Sequence, residues 1–102
     1  MSSELDARWK HVSPVSLSEG ERLLSSRLAL GEFLATRFQQ VFDINVDEVL
    51  FETFPDGLYA TLYVSESDIV AHNVWAVALA SALSDAGVDV SIVVRSVSDR
   101  LT

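Results

Sequence analysis

Between Gly57 and Ser65 apolar and polar positions alternate, so Leu58, Ala60, Leu62 and Val64 point to one side of an extended chain and Tyr59, Thr61 and Tyr63 to the other. Residues 46–54 read as a second strand, joined to the first through Pro55-Asp56-Gly57, where proline presets a turn position and glycine tolerates a left-handed backbone. Because proline has no N–H to give, the expected connection is a three-residue loop with a glycine bulge, pairing Phe54 with Leu58. In that register Leu50, Glu52 and Phe54 share a face with Leu58, Ala60 and Leu62, while Val49, Phe51 and Thr53 join the two tyrosines. A slip of one residue exchanges the two sets and still leaves apolar side chains on both faces.

Helical periodicity governs the flanks. Ser18 and Glu21 form a capping-box signature ahead of an apolar stripe (Leu24, Leu28, Leu30, Phe33, Leu34, Phe38, Val41, Phe42) that predicts a helix over about residues 19–42. A second helix is predicted over about residues 67–86, capped by Ser65 or Ser67 and stopped by Gly87. Its face of Ile69, His72, Trp75, Ala76, Leu79 and Leu83 suits a core, yet the opposite side, with Val70, Asn73, Val77, Ser81 and Ser84, is itself partly valine. A third strand follows, with Val88, Val90, Ile92 and Val94 inward and Ser91, Val93 and Arg95 outward.

The predicted order is αββαβ, an α+β two-layer sandwich in which a three-stranded sheet carries two helices on one face, with a right-handed crossover through the second helix. Residues 1–15 read as an N-terminal arm anchored by Trp9, residues 16–97 as a single domain, and residues 98–102 as a frayed tail. In topology alone this order resembles the type II KH module and the ring-building modules of secretion systems. A KH module implies a Gly-x-x-Gly loop and a basic groove. The glycines here stand at 20, 31, 57 and 87, and no basic stretch accompanies them, so no family is assigned.

Charge narrows the partners. A net charge of −8 repels nucleic acid and anionic lipid, and with no cysteine there is neither a disulfide framework nor a thiolate site. The longest apolar stretch, residues 74–80, is too short to span a bilayer, and the chain is read as cytoplasmic. No nucleophile elbow and no glycine-rich phosphate loop is present, and no cofactor is expected. His72 is read as a core histidine. Glu52, expected on the helix-covered face, is the carboxylate whose burial would raise its pKa toward acid–base work. Two acidic groups, Asp43, Asp47 and Glu48 and then Glu66 and Asp68, would chelate a hard cation only if their loops converged, and are read as solvated.

What remains is a patch on the uncovered sheet face, expected to comprise Val49, Phe51, Tyr59, Thr61, Tyr63, Val93 and Arg95. Its expected occupant is a second copy of the chain or another protein, unless the arm, through Trp9 and Val12, folds across it. Two further readings stand beside this one. A small molecule held between sheet and helices would use His72 and Glu52, and an acidic mimic of another surface would present Asp43, Asp47, Glu48 and Asp56 to a basic partner.

Overall fold

The computed structural model describes residues 12–66 and 69–100. Helices α1 (Leu17–Leu24) and α2 (Arg27–Phe42) lead into strands β1 (Glu48–Phe54) and β2 (Gly57–Val64); then come α3 (Val70–Asp85), β3 (Val90–Ser96) and a single helical turn, α4 (Val97–Arg100). The sheet runs β1-β2-β3, antiparallel between β1 and β2 and parallel between β2 and β3, with α3 as the crossover. The α+β sandwich expected from the sequence is therefore the fold. No described helix is long and apolar enough to cross a membrane.

The single helix expected over residues 19–42 is two helices, because serines intervene. Ser26, extended at φ −153° and ψ 121°, accepts the Ala29 N–H on its Oγ at 3.1 Å and starts α2 afresh. The hydroxyl of Ser25 donates to the Arg22 carbonyl at 2.7 Å and closes α1. Such side chains offer the backbone an alternative to continuing a helix. The break also rotates the apolar stripe: Leu23, Leu30, Leu34 and Phe38 are buried, whereas Leu24 and Leu28, expected on that stripe, are exposed. The cap of α1 is Ser16, which accepts the Glu19 N–H, rather than Ser18.

The second helix starts later than expected and ends as expected. Its proposed cap Ser67, with Asp68, lies outside the described residues, and Ile69 occupies the cap position without a side-chain bond. At the other end Gly87 takes φ 88°, its N–H donates to Ser84 O at 3.0 Å, and Val88 N–H donates to Leu83 O at 2.8 Å. This paired arrangement satisfies two carbonyls that the helix end would otherwise leave open.

All sheet residues of the main core, namely Ala60, Leu62, Val64, Val90, Ile92 and Val94, lie on one face and meet Leu23, Leu30, Leu34, Phe38, Trp75, Ala76, Leu79 and Leu83 from the helices. Burying each large aliphatic side chain contributes about 1.5–3 kcal/mol, so the helix layer is held to this face alone. Two contacts fix its placement. Gly20 lies so close to the chain at the end of α3 that an added Cβ would stand 2.3 Å from the Ala86 carbonyl oxygen. Asn73 reaches from α3 to the free edge of β3, where its Nδ2 donates to Val94 O at 2.9 Å and its Oδ1 accepts the Val94 N–H at 2.9 Å. In a parallel ladder both groups of one residue point the same way, so one amide does there what a neighbouring strand would do.

Gly20→Ala should destabilise the domain by about 1–3 kcal/mol despite alanine's better helix propensity, because the clash is with the Ala86 backbone, and urea unfolding will measure it. Asn73→Ala should cost a similar ~1–3 kcal/mol and should raise the hydrogen-exchange rate at the Val94 amide, since its bond is lost with the side chain.

Candidate interaction surface

The turn decides which side chains the second sheet face carries. Phe54 pairs with Gly57, so the loop is two residues, Pro55 and Asp56, rather than the three expected. Proline sits inside this loop, where no ladder N–H is required of it, and Gly57 takes the positive φ of 141° that follows. The expected three-residue loop counted Gly57 as part of the loop, whereas Gly57 pairs in the ladder, and β1 is shifted by one residue relative to that expectation. The consequence is a change of face for every side chain of that strand.

Val49 and Phe51 therefore leave the expected patch. Paired with Leu62 and Ala60, they point toward the helices and pack against the core, Phe51 approaching Gly31 of α2. The other five predicted residues, Tyr59, Thr61, Tyr63, Val93 and Arg95, are brought together as expected, on the face away from the helices. In place of the two lost members stand Glu48, Leu50, Glu52 and Phe54. The face is a grid of three rows across β1, β2 and β3: Glu52, Tyr59 and Ser91; Leu50, Thr61 and Val93; Glu48, Tyr63 and Arg95. Phe54 extends it at the turn end.

Leu50 and Phe54 are 38% and 46% exposed on this face. Glu52, Phe54, both tyrosines, Thr61, Val93 and Arg95 line an open trough of about 430 Å³. The rings of Phe54 and Tyr59 meet edge to face at 5.2 Å and 84°. Beneath the turn the Tyr59 hydroxyl donates to Asp56 Oδ2 at 2.7 Å, and that bond to a carboxylate raises the phenol pKa above its ordinary value. The two contacts orient one tyrosine at the turn end of the face. Rigid aromatic side chains bury area at small cost in rotamer entropy.

The groups singled out for chemistry do not converge. His72 is buried between Phe38 and Phe42, with ring centroids at 5.0 and 4.5 Å, on the helix side of the sheet. Glu52, expected on that side, lies instead on the open face and is exposed, because of the register change. Asp47 accepts the Ser65 hydroxyl at 2.9 Å, and Asp43 ends α2 in a left-handed conformation with φ 58°. Among the described residues no three of His, Asp and Glu gather as a metal site would require. Val12, Pro14 and Val15 border a recess with Ala78, Ser81, Ala82 and Asp85 of α3, so the described end of the arm lies on the helix side; Trp9 falls outside the described residues. No protein-family model, curated protein or solved structure matches this chain.

With Tyr63→Phe as background, Asp56→Asn should lower the pKa of Tyr59, read from phenolate absorbance. Since the folded state holds the phenol proton more tightly than the unfolded chain, the bond's contribution is complete below the ordinary tyrosine pKa of about 10 and fades as pH rises through the elevated folded value.

Proposed function

We propose that this chain is a small acidic, non-enzymatic interaction module that acts by closing its open sheet face against another protein surface, with a second copy of itself as the first candidate. The observation that carries this reading is the contiguity of Leu50, Phe54, Tyr59, Tyr63 and Val93 on a face turned away from the helices. Single exposed apolar residues are ordinary, but a sheet face that sets Leu50, Phe54 and Val93 beside two tyrosines has the composition of an interface centre. Its rim of Glu48, Glu52, Ser91 and Arg95 is polar, which also fits.

Closed two-fold dimers are the commonest assembly of soluble chains, and this sets the order of partners. Small-molecule binding is the second reading. The trough of about 430 Å³ favours it, being within the usual size of ligand sites, with Arg95 and Glu52 as polar anchors. Such a ligand would sit on the open face, not in the pocket between sheet and helices expected from the sequence.

Absolute mass by light scattering across protein concentration should show a species of twice the 11.2 kDa chain that persists in high salt. The double variant Tyr59→Ser, Tyr63→Ser should remain folded and shift that species to the monomer. A folded variant with unchanged assembly would remove the reading.

A further inference from the structure

We infer that the occupant of the open face is a second copy of this chain, related by a two-fold axis that lies in the interface and runs along β2, so that Glu48 of each copy sits over Arg95 of the partner subunit. The inference rests on the interaction reading above and goes on to name the partner and its register.

A two-fold that brings two sheet faces together must lie between them. Run along β2, it keeps each row of the grid and exchanges β1 with β3. Glu48 then opposes Arg95 of the partner subunit, Leu50 opposes the partner's Val93, Glu52 opposes the partner's Ser91, and the two tyrosines and Thr61 meet their own copies at the centre. Charge meets opposite charge at two corners, and apolar meets apolar between them.

The other regular orientations fail on charge. An axis across the strands keeps each strand and exchanges the outer rows, which sets Glu52 over Glu48 of the partner subunit at both ends. A diagonal axis lays either Glu48 or Glu52 on its own copy. Two carboxylates pressed together in a partly desolvated interface oppose association, a penalty that a chain of net charge −8 can ill absorb. Of these orientations only the axis along β2 avoids facing carboxylates, and it also uses Arg95, the one cation among the described residues of the face, twice.

Size permits it. Three strands about 4.8 Å apart, each about seven residues long at 3.3 Å per residue, give a footprint of roughly 15 by 23 Å. Closing two such faces covers roughly 700 Å² in projection, and side-chain relief brings the accessible area buried to on the order of 1,000 Å², below the ~1,200–2,000 Å² of a standard stable interface and in the range of weak, transient ones. The dimer should accordingly be measurable by dilution rather than permanent.

The test is a charge swap read by sedimentation equilibrium and native mass spectrometry. Glu48→Arg alone and Arg95→Glu alone should each weaken dimerisation roughly tenfold or more, since each creates two like-charge contacts. The double variant should regain association, and an equimolar mixture of the two single variants should form the mixed dimer in preference to either pure one. Recovery on mixing also shows that both single variants are folded. If the tyrosine double variant dissociates the dimer while the charge variants leave it intact, or if swapping and mixing restore nothing, the two-fold is wrong and the face stands. If the chain is monomeric at every concentration, or if Val74→Ser, Val77→Ser on α3 dissociates the dimer and the tyrosine variant does not, both the two-fold and a self-association reading of the face fall.

Discussion

The pairing of Phe54 with Gly57 across a two-residue turn is the contact on which the rest of this surface depends. Side chains alternate along a strand, so one pairing at the turn assigns each residue of β1 to the helices or to the open face. With Pro55 held inside the loop, Val49 and Phe51 complete the core beside α2, and Leu50 and Phe54 are turned outward beside Tyr59 and Thr61. The choice is reinforced locally, because the edge-to-face contact of Phe54 with Tyr59 and the bond from Tyr59 to Asp56 both span the same turn. Turn, register and surface composition are thus one decision.

The helix layer makes that decision consequential. Its helices all pack on the face carrying Ala60, Leu62, Val64, Val90, Ile92 and Val94, which leaves the second face without a cover among the described residues. At the β3 edge, Asn73 occupies both backbone groups of Val94 and so blunts a site where another strand would add. An added strand therefore finds the Val94 backbone groups already taken. Helix α3 has its own exposed valines, with Val70 and Val77 at 73% and 68%, and these form the natural control surface for any claim about the sheet.

The fold was legible because its signals are local and redundant. Strict alternation in β2, an inward valine and isoleucine set in β3, and a glycine at the end of α3 each point to one element, and the αββαβ order then permits few packings. Two details were hidden for physical reasons. Ser25 and Ser26 interrupt an apolar stripe that continues beyond them, and whether adjacent serines cap or ride within a helix depends on the packing of Leu23 and Leu30. The second is the turn: Pro55-Asp56-Gly57 is compatible with two loop lengths, and the choice exchanges Phe51 for Leu50 on the open face. Residues of β2 and β3 were placed correctly because their facing does not pass through that turn. Asn73 gave no sequence signal, since its partner is a backbone amide twenty-one residues away.

Hydroxyl-radical footprinting over a dilution series would test most directly whether the open face is what the molecule buries. Leu50, Phe54, Tyr59 and Tyr63 should gain reactivity together as the protein is diluted, while Val70, Val74 and Val77 of α3 should not change. Constant reactivity at the sheet residues, with protection of the valines at high concentration, would instead mean that the molecule buries α3 and leaves the sheet face open.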